Sequence, residues 1–184
     1  SSDLPGTYTL LAASAEERLA RDFICFGKPD ATIVIVDAMA LERNLSLVLQ
    51  VMEITSKAIV CVNLIDEAHR KGVHVDTVAL EKHLGIPVVA TSARNGTGID
   101  TLLAVVADVV SGRRACQPRV ATYGEDLERA ISDIEAQIDD RIAAHVNRRW
   151  LALRLLEGDQ TVIEALSEHL GLHYLGPSIA PISV

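Results

Sequence analysis

An α/β fold with a parallel sheet and flanking helices, followed by a small all-α module, is what this sequence predicts, and three observations predict it. Residues 31–37 and 58–66 hold apolar, largely β-branched runs without polar alternation, the pattern of strands covered on both faces. Each run leads into apolar residues at helical spacing, so the order βαβαβα calls for parallel strands joined by right-handed crossovers. Past a break at 112–122, which holds Pro118 and the pair Arg113-Arg114, only helical periodicity is left.

In chain order, Ser1-Ser2-Asp3-Leu4-Pro5-Gly6 is a turn signal with no strand before it, an unusual start for an α/β domain, so part of the fold is expected to precede it. Ser14 and Glu17 have capping-box spacing, and Leu19, Phe23, Ile24 and Phe26 give the following helix an apolar face that ends at 28–30. The strand at 31–37 precedes a helix with Leu41, Leu45, Val48, Leu49 and Met52 on its inner face. The strand pattern at 58–66 precedes a short helix at 67–72 stopped by Gly72. Asp76 then caps a helix that turns Val78, Leu80 and Leu84 inward and closes at Gly85. A third strand, 87–90, leads through a Gly-containing loop into a helix with Leu102, Leu103, Val106 and Val110 inside. Beyond the break, Leu127, Ile131, Ile134, Ile138 and Ile142 write one stripe along a long helix. Two further helices, 150–156 and 162–170, are separated by Gly158-Asp159, and the tail at 176–181 reads as irregular.

Composition narrows the function. At 184 residues and 49% hydrophobic content, the chain supports one sizeable core plus an appendage and reads as a soluble globular protein. A net charge of −8 with no basic cluster argues against a nucleic-acid partner. Cys25, Cys61 and Cys116 fit neither a disulfide framework nor zinc spacing, which points to a reducing compartment. No apolar run reaches the roughly 18–20 residues of a membrane span.

In parallel sheets ligands bind beyond the carboxyl ends of the strands, which draws attention to Asn63 and Asp66. A carboxylate there accepts two parallel hydrogen bonds from a ring that offers N–H and exocyclic NH₂ side by side, as guanine does and adenine does not. A wrong base leaves the acceptor unpaired at roughly 1–3 kcal/mol. Asn63 either braces the loop or meets the base. Alone, an amide and a carboxylate after a strand are more simply a turn. Ser92-Ala93-Arg94 would set small side chains and backbone N–H groups against the base, or else form a plain helix entry through Gly96 and Gly98. Asp3-Leu4-Pro5-Gly6 offers a carboxylate for hydrated Mg²⁺ and a glycine that lets a phosphate approach, or an ordinary Pro-Gly turn.

Together, D-L-P-G-T-Y, N-L-I-D and T-S-A-R-N-G-T-G resemble the third, fourth and fifth motifs of a GTP-binding domain. The flanking runs Val36-Asp37-Ala38, Leu41-Glu42-Arg43-Asn44-Leu45 and the segment 150–159 are similar to the cytosolic region of the ferrous iron transport protein B (FeoB) family, over nearly the whole chain. The resemblance implies the C-terminal half of a P-loop GTPase-like fold (1–114) followed by part of a helical regulatory domain (115–184). It implies a membrane iron(II) transporter whose GTPase and helical domains regulate the permease of the same protein, on the cytoplasmic side of the inner membrane. In that reading Asp3, Leu4, Pro5 and Gly6 belong to the second switch, with Asp3 on Mg²⁺ through water. Asn63, Leu64, Ile65 and Asp66 form the guanine-reading loop, and Ser92, Ala93 and Arg94 back the base. Leu64 stands where most GTPases place Lys, a departure the family shares.

The chain has no G-x-x-x-x-G-K-[ST] loop, since Gly27-Lys28 is followed by Pro29. Alone, it is expected to bind GTP or GDP weakly and hydrolyse GTP negligibly. Thr7 stands where many small GTPases orient water with glutamine, and no catalytic base is assigned. Without the phosphate-loop strand, the strand at 31–37 would carry an exposed apolar edge, open to homodimerisation. His169 and His173 are four residues apart, but Gly171 between them favours surface histidines over metal ligands, and His69 and His74 are in no ligand register. Two alternatives stand beside the GTP-binding reading: a non-catalytic interaction module, and a GTPase of the ribosome-assembly type.

Overall fold

The computed structural model describes Asp3, Leu4, Leu10 and residues 14–170. Pro5, Gly6, Thr7, His173 and the tail at 176–181, all singled out above, lie outside the described residues.

Three strands form a parallel sheet: β1 (Thr32–Asp37), β2 (Ala58–Asn63) and β3 (Val88–Ala90), in the order β1-β2-β3. Thr32 pairs with Ala58 and Asp37 with Asn63, so β1 and β2 end level, while Val62 pairs with Ala90. β2 is buried from Ala58 to Val62, as its unbroken apolar run requires. Its odd and even residues serve different layers. Val60 and Val62 join Val34, Val36 and Val88 in the larger core, whereas Ile59 and Val89 meet Val105 and Val109 on the opposite face.

The helices before and between the strands are set by local chemistry. α1 (Ala15–Phe26) begins in a complete capping box, with the Ser14 hydroxyl accepting from Glu17 N–H and the Glu17 carboxylate accepting from Ser14 N–H. α2 (Leu41–Ile54) buries Val48, Val51 and Met52 beneath β1 and β2. α3 (Ile65–Arg70) starts three residues beyond Val62, so the strand ends at Asn63 and Asp66 belongs to the first turn of a helix. α4 (Thr77–Leu84) is capped by Asp76, whose carboxylate accepts from Ala79 N–H, and stops at Gly85 in the left-handed region. Only glycine fits there: a Cβ would lie 2.0 Å from the Gln117 carbonyl oxygen, where the segment after α5 (Ile99–Val110) returns to bond Gly85 and Leu84.

The second unit contains α6 (Glu125–Glu135), α7 (Asp140–Ala143), α8 (Arg148–Leu156) and α9 (Gln160–Leu170). The single long helix expected across 127–142 is instead two, because the Asp139 side chain accepts from Arg141 N–H and starts α7 afresh. Ile131 and Ile138 still reach the core. Gly158 and Asp159 separate α8 from α9 as expected. Trp150, Leu151, Ala152, Leu153, Val162 and Leu166 join the same buried cluster as β1 and β2, so the helical module shares the larger core of the sheet. Arg21 of α1, only 2% exposed, ties the two together: it donates to the Thr161 hydroxyl (2.8 Å) and lies 3.7 Å from Asp159.

Several inward assignments fail on rotation about the helix axis. Val78 is 79% exposed and Leu103 61%, and Leu19, Phe23, Leu49, Val110 and Leu127 are also exposed. In α5 the buried pair is Val105 and Val109, one residue around from the positions expected. Among the described residues no helix is long and apolar enough to cross a membrane.

Candidate functional site

The carboxyl ends of β2 and β3 bring two loops together. Asn63, the last residue of β2, turns its side-chain oxygen to the β3 loop, where it accepts from Ala93 N–H (3.1 Å) and the Thr91 hydroxyl (3.3 Å). Of the two roles open to Asn63, bracing the loop is the one its contacts fill. Leu64 follows in the left-handed region at φ 61°, an uncommon conformation for a branched residue. That single turn reverses the chain, so that Ile65 N–H reaches the Thr91 carbonyl (3.1 Å) and α3 starts with Asp66 beside the β3 loop.

The β3 loop is equally constrained. Ser92 N–H bonds the Thr97 carbonyl (3.0 Å), closing a turn of 3₁₀ helix over Ala93–Asn95. Gly98 is required by position, since a Cβ would fall 2.1 Å from the Ala90 carbonyl oxygen at a φ of +77°. The closed turn sets Asn95 against Asp66, with Asn95 Nδ2 donating to Asp66 Oδ2 at 3.2 Å. Arg70, one turn along α3, lies 3.7 Å from the same oxygen.

Electrostatics favours the charged form of Asp66. The Ser92 hydroxyl beside it is the foremost influence holding the carboxyl below the usual range; desolvation opposes it, and the Asp66 and Glu67 backbone N–H groups and Arg70 add to the lowering. Ser92 is 2% exposed, and its buried hydroxyl has no well-formed hydrogen bond within the chain. The site is therefore a negative carboxylate, a buried hydroxyl beside it and two braced loops at the carboxyl ends of β2 and β3, suited to a flat, hydrogen-bonding ligand with paired donors.

Of the residues expected from the sequence, Asn63, Leu64, Ile65, Asp66, Ser92 and Ala93 come together here. Ala93 N–H is taken by Asn63 rather than left for a ligand, and Arg94 is exposed. Asp3 is exposed and Leu4 packs against the larger core, while Pro5 and Gly6 lie outside the described residues. Three contributors had no role assigned from the sequence: Thr91, fully buried between Cys61 and Asn63, and Asn95 and Arg70 on the Asp66 carboxylate. Thr91 and Asn95 stand in the T-S-A-R-N-G-T-G motif, but nothing in their spacing shows what they touch. A cleft of about 240 Å³ opens beside the site between the ends of β1 and β2, lined by Ile35, Asp37, Asn44, Asn63 and Leu64. A larger one, about 500 Å³, lies at the opposite end of β3 around Pro87 and Val88 and contains none of these residues.

His169 stacks on Phe26 with ring centroids 4.8 Å apart, the exposed His69 and His74 face each other at 5.6 Å, and no metal-ligating group of three is found among the described residues. All three cysteines are free, and burial pushes the Cys25 thiol up to about 12.

Comparison with known proteins places the chain in a family. The family model described as ferrous iron transport protein B matches residues 2–106, and that of the FeoB cytosolic helical domain matches 123–176. The Fe(2+) transport protein A/Fe(2+) transporter FeoB fusion protein of Porphyromonas gingivalis is 34% identical over 170 residues, covering 90% of this chain and 20% of that protein. The Fe(2+) transporter FeoB of Salmonella typhimurium is 37% identical over 163 residues, covering 85% and 20%. This chain thus spans about a fifth of the length of these relatives. Among solved structures, the cytosolic domain of the T. maritima FeoB iron transporter in its GMPPNP form superposes with a TM-score of 0.78 at 36% identity, over 94% of this chain and 67% of that one. An S. thermophilus NFeoB variant bound to GDP·AlF4⁻ gives 0.75 at 33% identity, over 88% and 62%. In sequence and in fold, the chain belongs to the ferrous iron transport protein B family.

Proposed function

We propose that this chain is the guanine-reading part of the cytosolic region of a membrane ferrous iron transporter, in which nucleotide binding regulates iron(II) uptake through the permease of the same protein. The observation that carries the reading is a charged Asp66 beside the buried Ser92 hydroxyl on two braced loops. Asp66 accepts from the ring N–H and exocyclic NH₂ of guanine, the buried Ser92 hydroxyl helps keep that carboxyl charged, and Asn63 and the left-handed Leu64 fix the distance between their loops. Support comes also from the T. maritima relative, which is solved in GDP and GMPPNP forms.

Residues 1–114 form the nucleotide-binding part in this reading, and residues 115–184 the helical regulatory part. Mg²⁺ keeps most of its waters and takes few protein ligands, so one exposed carboxylate suits it; Asp3 would hold it through water, next to phosphate oxygens. With no phosphate loop in its sequence, the chain alone binds GDP weakly and hydrolyses GTP negligibly.

Titration with GDP, followed by NMR shifts of Ser92, Asn63 and Asp66, tests the proposal. Asp66→Asn keeps the shape but replaces an acceptor with a donor, and should weaken GDP by at least roughly tenfold. Native binding should hold down to pH values below the ordinary carboxylate range, because Asp66 stays charged there, and fall only as the pH passes its lowered pKa. Unchanged affinity in Asp66→Asn would sink the role of Asp66, and no response to GDP in the native chain would leave the interaction module standing.

A second reading rests on β1. Ile33 is 42% exposed and Ile35 67% exposed on the sheet face that α5 leaves uncovered, beside an edge with no strand partner among the described residues. Such an edge is a template for pairing with a second copy, and homodimerisation through it is the form this takes for the isolated chain. Sedimentation reads it directly; a strictly monomeric chain with cooperative unfolding excludes it.

A further inference from the structure

We infer that Asn95 is a positioning residue for guanine selection, holding the Asp66 carboxylate in the plane and rotamer that a base must meet. The inference rests on the guanine-reading role proposed above and adds to it the group that orients the reader. Two amides stitch the two loops in opposite directions. Asn63, on the β2 side, accepts from the β3 loop at Ala93 N–H and the Thr91 hydroxyl. Asn95, on the β3 side, donates back to Asp66 Oδ2 at 3.2 Å.

Asn95 is itself well placed to act as a fixed point. It closes the 3₁₀ turn, its own N–H bonds the Ser92 carbonyl (3.0 Å), and the Ser92–Thr97 bridge and the glycine turns at Gly96 and Gly98 hold the loop shut around it. The Ser92 hydroxyl and the Asp66 and Glu67 backbone N–H groups also bear on the carboxylate, but the Asn95 amide makes the well-formed side-chain hydrogen bond to it among the described residues. Arg70 is 3.7 Å away on a side chain 66% exposed, and a screened, mobile cation restrains direction poorly. A carboxylate has about four acceptor positions, so one amide bond on Oδ2 leaves capacity for the two parallel donors of a base. Without Asn95, the carboxylate loses its well-formed restraint on a last torsion that is broad, and both base bonds lose alignment together.

This role predicts a change in selectivity greater than the change in affinity. GDP presents the exocyclic NH₂ and IDP does not, so their ratio reads the second hydrogen bond alone. The chain is titrated with each nucleotide to millimolar concentration, in the native form and as Asn95→Ala and the isosteric Asn95→Asp, with the NMR spectrum confirming the fold of each. Asn95→Ala is expected to lower the preference for GDP over IDP by roughly fivefold, with IDP binding nearly unchanged. Asn95→Asp, which sets a second carboxylate against Asp66, is expected to lower it at least as far. An unchanged GDP-to-IDP ratio in both variants overturns the role of Asn95 while leaving that of Asp66 intact. A native chain that responds to neither nucleotide overturns both.

Discussion

β1 and β3 are both edge strands of one sheet, and the chain finishes them differently. Thr32 and Ala38 send their N–H groups to Lys57 and Asn63, so alternate residues of β1 face β2, while Ile33, Ile35 and Asp37 turn their backbone outward. Among the described residues only Asp37 is answered there, its N–H donating to Asn44 Oδ1 (2.8 Å). On β3 the residues facing outward begin with Val88, whose N–H donates to Glu81 Oε2 (3.0 Å). Glu81 is held in turn by Arg114, from the segment that crosses back over Gly85. One edge is capped by a side chain and a returning segment; the other, among the described residues, presents backbone without a strand partner and two exposed isoleucines, next to the 240 Å³ cleft at its carboxyl end.

The largest effect is expected on the bare edge. Ile35→Lys places a charge on the most exposed apolar residue of β1, a device by which sheets resist edge pairing. Any self-associated species should convert to monomer in sedimentation, with the unfolding midpoint nearly unchanged because Ile35 makes little of the core. Retained association would move the contact away from β1. The braced end of the sheet should respond in the opposite manner, through stability rather than association. Asn63→Ala removes the acceptor for Ala93 N–H and the Thr91 hydroxyl, and Thr91 is fully buried, so a loss of about 1–2 kcal/mol is expected in urea unfolding, together with the response of Ser92 to GDP. A stability loss with GDP binding intact would make Asn63 a purely structural brace.

The sequence made these two ends unequally legible. β2 could be read outright, because a run of apolar residues without alternation has few other homes, and Asn63, Asp66 and Ser92 could be placed at its edge from strand order alone. The capping box at Ser14 and the caps at Asp76 and Gly85 follow from spacing that one turn of helix fixes. Faces were harder. Helical periodicity gives a stripe, but Val78 and Leu103 show that an apolar residue one position off the stripe looks the same in one dimension. The break at Asp139 was hidden because Ile134, Ile138 and Ile142 keep their spacing across it, while the capping aspartate lies between them. Asn95 and Arg70 reach Asp66 only after Leu64 enters the left-handed region, a torsion that no residue type there announces.

The smallest effect concerns the capped edge, and a pair of substitutions separates its two components. Glu81→Ala removes the acceptor for Val88 N–H and the partner of Arg114 together. Val88 is buried, so its N–H is left unanswered and a loss of about 1 kcal/mol is expected; both members of the ion pair are more than a third exposed, and their attraction adds little. Glu81→Gln keeps a carbonyl oxygen for Val88 and gives up the charge. If the cap on the strand edge is what Glu81 provides, Gln should retain most of the stability that Ala loses, with the same urea dependence in both variants. Equal losses in the two would assign the contribution to Arg114, and the finish of β3 would then depend on the returning segment rather than on a side chain that takes the place of a neighbouring strand.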